Sequence, residues 1–192
     1  MEFQAQIFDD RALHELLDRP GGLTESDFSR CLFKKLDLSG RDLSGASFVD
    51  CAFTNCNLSN VKVGGCSFQN VSFAGCKVMG VDFSRISTLL VSWSFKDCNI
   101  SLCDFRGLGM KGSVFSSCEI GECDFLNVNL ADSDFSGSDL RASRFQNANL
   151  EKADFTGARN YYVDPTTNRL KHARFSYPEV LALLSGFNIK VE

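Results

Sequence analysis

The chain has 192 residues, 44% of them hydrophobic, and its 20 Lys+Arg against 24 Asp+Glu leave a formal net charge of −4. That is enough apolar material for one domain with a real core, which excludes a disordered tail, and too little positive charge to hold nucleic acid electrostatically. No run of about 18 apolar residues occurs and Met1–Asp10 lacks the basic-then-apolar order of a signal peptide, so no membrane span is expected and the expected location is the cytoplasm.

In chain order, Asp10–Asp18 places Leu13, Leu16 and Leu17 at helical spacing and is stopped by Pro20-Gly21-Gly22, which predicts a short helix that caps the repeats C-terminal to it. From Phe28 every fifth residue is apolar through Phe83, and a second run extends from Phe95 to Phe155. Together these give 25 apolar centres, which hold 14 of the 18 Phe. Two residues before each centre stands Ser, Cys, Ala or Val in 21 of 25 cases, and all nine Cys occupy that position. Five steps of about 100° would carry an apolar residue around a helix, so the backbone must be extended. Two inward residues flank one outward residue, as in a strand, and the remaining two turn a corner.

Stacking the centres at a period of twenty aligns Phe on Phe and aliphatic on aliphatic, which makes four sides per coil and predicts an all-β solenoid of square section. The nine Cys are then small buried filling in a reducing compartment; no metal site and no cofactor is expected. Twelve residues separate Phe83 from Phe95 where ten would keep register. If Thr88 takes the missing centre, Phe95 continues the Phe33 column, giving seven aligned Phe from Phe33 to Phe155; the alternative, Phe95 over Phe68, leaves only one column uniform. The break within 84–94 reads as a bulge. Beyond Tyr161–Asn168, Leu170 and Phe175 return to the register, Tyr177–Ser185 reads as a helix and Asn188–Glu192 as a final strand. The organisation expected is a cap over 1–23, a repeat solenoid over 24–158, and a last coil with helix and strand over 159–192.

Residues 97–140 carry eight acids against Arg106 and Lys111, whereas the flanking segments are net basic. Asp104, Glu119, Glu122, Asp124, Asp132, Asp134 and Asp139 form the candidate partner-binding stripe. Like charges stacked at strand spacing are unfavourable for stability alone. Asp just before a centre can instead bond a nearby backbone group; Glu122 and Asp132 lie outside that position. Leu170, Phe175, Val180, Leu181, Leu184 and Phe187 are the candidate dimerisation residues, an apolar set at the solenoid end that either pairs with a second copy or folds back as a cap. His14 and His172 fall in unrelated registers, and no phosphate loop, zinc-protease motif or nucleophile elbow occurs, so no catalytic residues are expected.

Ala148-Asn149-Leu150 and Ala153-Asp154-Phe155 match the A-(D/N)-L-x-x pattern, and over about residues 24–158 the chain resembles the pentapeptide repeat family. The resemblance implies a right-handed quadrilateral β-helix with short N-terminal and C-terminal helices as caps. The Phe- and Cys-rich repeats and the ending Tyr161…Ala173-Arg174-Phe175-Ser176-Tyr177-Pro178-Glu179…Leu183-Leu184 resemble its gyrase-protecting branch, typified by the Qnr and MfpA proteins. That implies a DNA-mimicking rod that binds the type II topoisomerases DNA gyrase and topoisomerase IV, protects them from quinolones or peptide and natural-product toxins, and forms a homodimer through its C-terminus. The chain departs from the Qnr members in lacking longer projecting loops, which shifts the expectation toward toxin immunity. The alternative is a scaffolding solenoid with a non-topoisomerase protein partner.

Overall fold

The computed structural model describes residues 6–8, 22–88, 91–187 and 189. The predicted helix over 10–18 and most of the predicted final strand lie outside the described residues.

The five-residue period folds as a four-sided parallel β-solenoid of about seven turns. Each coil pairs in register with the coil twenty residues on: Phe28 with Phe48 and Phe48 with Phe68 on one side, Phe33 with Phe53 and Phe53 with Phe73 on the next. The Leu38 side is held by bridges from Asp37 to Asn57 and Asn57 to Lys77, then by strand Asn99–Ser101 between Lys77–Met79 and Glu119–Gly121. The Leu43 side runs through the Asp42–Lys62 and Asp82–Asp104 bridges to strands Asp124–Leu126 and Arg144–Gln146. At one end, strand Gln6–Phe8 pairs with Cys31–Lys34; at the other, Arg174–Phe175 pairs with Asp154–Phe155. Leu23 is already buried, so the inward register begins one pentapeptide before Phe28.

The core is a set of side-chain columns. Phe33, Phe53, Phe73, Phe95, Phe115, Phe135, Phe155 and Phe175 form one face-to-face stack with ring centroids 4.5–5.1 Å apart. Neighbouring columns meet it edge-on, as Phe115 meets Phe105 and Phe125 at 6.0 Å. Offset stacking down a column and edge-to-face contact between columns are the two arrangements the ring quadrupole favours, so each ring satisfies both.

The register break takes the phase that aligns Phe95 with Phe73. The Ser87 N–H donates to the Cys66 carbonyl as the Ser67 N–H donates to that of Ala46, which puts Thr88 in the Phe68 column, and the two additional residues fall between Thr88 and Trp93. Thr88 is too small to fill a Phe site. Trp93, 3% exposed, fills the space instead, edge-on to Phe68 at 5.7 Å and to Phe95 at 5.9 Å.

The corners have a fixed chemistry. Two residues past a centre the backbone enters the left-handed region, at Gly40, Gly45, Gly65 and Gly80 but also at Asn55, Asn60, Asn70, Asn127 and Asn147, the residue types that tolerate it best. The cysteines do more than fill. Cys56 and Cys76 each donate an amide N–H to the thiol of the next coil, Cys76 and Cys98 respectively, at 3.4 Å, and each of these three thiols donates in turn to a carbonyl of the coil before it. Ser138 and Ser143 accept the Cys118 and Cys123 N–H groups in the same way at 2.8 and 3.2 Å. In these coils the side chain two before the centre ties up a buried amide that the strand ladder leaves over; in others that amide turns to the carbonyl three residues back, as Ala46 does to Leu43 and Ala153 to Leu150, and a side chain without a polar atom suffices. The predicted C-terminal helix is present as a 3₁₀ helix, Glu179–Phe187, following a cis Tyr177–Pro178 bond.

Candidate protein-binding surface

The residue before each centre points outward, and where it is Asp or Asn its Oδ1 in most coils accepts the N–H two residues on. Asp37 takes Ser39 at 3.0 Å and Asp42 takes Ser44 at 3.0 Å; the same bond is made by Asp104, Asp124, Asp134 and Asp139 with Arg106, Leu126, Ser136 and Arg141. Four of the seven predicted stripe residues therefore have a structural reason for being acidic, the turn bond weighed against function in the sequence.

Four of the seven, Asp104, Asp124, Asp132 and Asp139, also have basic partners. Asp104 receives Arg106 at 2.5 Å, and Asp124 receives Arg144 at 2.5 Å with Arg106 at 3.9 Å. Asp132 lies between Lys111 at 3.4 Å and Lys152 at 3.9 Å. The physical reason is the period itself: a basic residue two or about twenty positions away falls beside the acid, so Arg144 and Lys152, which in sequence belong to the basic flank, meet Asp124 and Asp132 in the acidic segment. Hydrogen bonding to Arg106 holds the Asp104 carboxyl below the ordinary range.

Asp139 cannot meet a partner. Its side chain is 5% exposed and accepts bonds from Arg141 at 3.1 Å, Arg159 at 3.0 Å and Asn160 at 3.0 Å. Burial alone would raise its pKa, but the Asn160 and Arg159 hydrogen bonds prevail and lower it. This carboxylate ties together the last coils.

Glu119, Glu122 and Asp134 make no ion pair among the described residues, and Asp97, which the sequence stripe did not include, joins them. Glu119 and Glu122 are exposed; Glu119 accepts Asn99 Nδ2 at 3.0 Å, and Glu122 sits on a left-handed corner with φ 54°. The corner stacked on it carries Leu102, which is 55% exposed with φ 55°. Sequence reasoning passed over Leu102, though a large apolar residue two past a centre was visible there.

The C-terminal candidates divide into two groups. Leu170 and Phe175 pack against the end of the core, Val180 and Leu184 are half-buried, and Leu181 and Phe187 are 41% and 51% exposed. Tyr177 and Ile189 are exposed beside them at 81% and 56%. Among the described residues no group of three or more His, Cys, Asp or Glu is placed to hold a metal, and no helix is long and apolar enough to cross a membrane.

A four-sided solenoid with a closed apolar interior, corners set by a five-residue rule and outward side chains left to carry specificity defines a class of repeat protein. The chain belongs to the pentapeptide repeat family: the profile of the pentapeptide repeat region matches residues 26–89 and 86–155. No curated protein sequence matches it. Among solved structures it is similar to a trypsin-treated form of QnrB1, a plasmid-mediated fluoroquinolone resistance protein, at 23% identity over 88% of this chain and 92% of that one, with a TM-score of 0.49. It is also similar to HetL, a pentapeptide repeat protein involved in heterocyst differentiation regulation from the cyanobacterium Nostoc sp. strain PCC 7120, at 13% identity over 78% and 85% of the two chains, with a TM-score of 0.43. At these identities the likeness is one of fold.

Proposed function

We propose that the chain is a cytoplasmic, non-enzymatic rod that binds DNA gyrase, and topoisomerase IV by the same surface, in place of DNA, and so protects the enzyme from a quinolone or a peptide or natural-product poison. The observation that carries this reading is the set of exposed carboxylates without ion pairs, Glu119 and Glu122 foremost, midway along a regular rod. Seven turns at about 4.8 Å give roughly 34 Å, the length of one turn of B-DNA. The sequence similarity of the repeats and of the Tyr161–Leu184 ending to the gyrase-protecting branch points the same way. In this reading Glu119, Glu122 and Asp134 make direct contact, Asp104, Asp124 and Asp132 contribute together with their Arg and Lys neighbours, and Leu181 and Phe187 pair two copies end to end.

A second reading is favoured by a specific observation: three of the stripe acids are ion-paired and a fourth is buried, which suits a scaffold whose surface charge is mixed. The two separate in a supercoiling assay with gyrase holoenzyme and a quinolone or peptide poison, run with and without this protein. Topoisomerase protection requires activity to be restored, and restored less by Glu119→Lys/Glu122→Lys, with binding that weakens as salt is raised. No restoration and no binding leaves the scaffold.

A further inference from the structure

Where the last coil meets the 3₁₀ helix Glu179–Phe187, the chain encloses an open cleft of about 350 Å³ lined by Asn160, Tyr161, Pro178, Glu179 and Ala182. Tyr161 is 4% exposed, with its ring set against Phe155 at 5.6 Å and Phe175 at 5.7 Å, so the ring is held by the end of the core. Its hydroxyl is buried and has no hydrogen-bond partner. A buried hydroxyl without a partner is costly, and Phe at this position would fill the same space without that cost. Two further acceptor groups line the same cleft. Glu179 brings a carboxylate, close enough that its charge adds to burial in pushing the Tyr161 phenol up to about 12. Asn160 commits its Nδ2 to Asp139, which leaves its Oδ1 as an acceptor. Pro178 and Ala182 supply apolar wall.

A carboxylate, a phenol and an amide carbonyl offer acceptors, one of them charged, and an ammonium group is the ligand end that takes three acceptors at once; the apolar wall suits an alkyl stem. We propose that this cleft is a binding site for a primary alkylammonium group, with Glu179 supplying the counter-charge, Tyr161 and Asn160 the remaining acceptors, and Pro178 and Ala182 the wall for the stem. A lysine side chain of a protein partner and a free polyamine share that chemistry. The site is at the end of the rod, away from Glu119 and Glu122, and stands whether or not the chain binds a topoisomerase.

The test is titration of the full chain with n-butylamine at neutral pH, monitored by NMR at the Ala182 methyl and the Asn160 side-chain amide. n-Butanol serves as the uncharged control, and Nα-acetyl-lysine amide and spermidine separate the two sources. Saturable shifts with butylamine and much weaker ones with butanol are expected. Tyr161→Phe should leave the melting temperature unchanged or raised while weakening butylamine at least five-fold, and Glu179→Gln should weaken it at least ten-fold. A merely structural tyrosine would give the reverse, lower stability with unchanged amine binding. Butanol binding as well as butylamine, or both variants binding like wild type, would overturn the proposal.

Discussion

Phe115 is the most informative single residue to truncate. It has no exposed surface and stacks between Phe95 and Phe135, each at 5.1 Å, with Phe105 and Phe125 against its edges. Phe→Ala removes roughly 100 Å³, and a cavity term near 24 cal/mol per Å³ gives about 2.4 kcal/mol if the walls do not collapse. They cannot easily do so, because the rings above and below are pinned by their own strand pairing. Adding roughly 2 kcal/mol of lost transfer energy puts Phe115→Ala at about 4–5 kcal/mol, in the upper part of the usual range. Phe175 is the internal control, since it is only partly buried and has one stacked neighbour, Phe155. Its cavity opens at the rod end and can fill, so Phe175→Ala should cost about 1–2 kcal/mol. In a solenoid a weakened end frays locally, whereas a weakened middle interrupts both directions of the stack. Urea unfolding read by far-ultraviolet circular dichroism gives both midpoints and slopes. Equal losses for the two variants would refute the argument that stability resides in continuous columns.

The hydrogen-bonding role of the thiols requires Cys98→Ser to cost less than Cys98→Ala, which strands the Cys76 N–H and should lose about 1–3 kcal/mol in the same denaturation assay. All nine thiols are buried beyond a reagent's reach, and burial also pushes Cys51 up to about 11 and Cys66 to about 12, so the native protein should show almost no reaction with Ellman's reagent at pH 8, and nine reactive thiols once unfolded. Asp104, Asp139 and Asp154 all have lowered carboxyl pKa values, so their stabilisation is complete above the ordinary carboxylate range near pH 4 and is lost as pH falls through the lower folded values. Asp139→Asn should flatten that part of the acid stability profile, and an unchanged profile would show that the Arg141–Asp139–Arg159 cluster is not responsible. For the tail, sedimentation of wild type should show a dimer that Leu181→Glu/Phe187→Glu converts to a folded monomer; a monomeric wild type at micromolar concentration would leave the segment as a cap.

The solenoid was legible because period five leaves no other backbone. The columns Phe33–Phe155 and Leu38–Ile100 could be stacked on paper, and the break could be phased, because giving Thr88 the missing centre keeps the first column all Phe and the second all aliphatic, whereas Phe95 over Phe68 leaves only one column uniform. What the pattern could not give was the partner of each outward charge. Arg144 and Arg159 are twenty residues from Asp124 and Asp139, and lay in what a linear count makes a separate basic segment. Folding at a twenty-residue repeat interleaves the two segments, so charge summed along the sequence overstates charge on a face. The C-terminal helix was visible from its apolar spacing, but the cleft that it forms with Tyr161 depends on two elements meeting outside the repeat rule.

The repeat also decides where specificity can be written. Of five positions, two point inward and are held by packing, one of them in several coils also by an amide it satisfies, and a third in most coils bonds the turn when it is Asp or Asn. Only the last two are free of the fold's demands, and the second of these carries a cost for any residue but Gly, Asn or Asp because of its left-handed backbone. A bulky or charged residue at that corner is thus chosen against local preference. Glu122 and Leu102 stand at successive corners of one edge, in the middle of the rod, with Glu119 on the adjoining side. Lys35, Lys152 and His172 take such corners toward the ends of the rod, but midway along it this edge alone joins the corner's cost to carboxylates without ion pairs among the described residues, so the contacts proposed with a topoisomerase are to be sought at that edge and not along the ion-paired aspartates beside it.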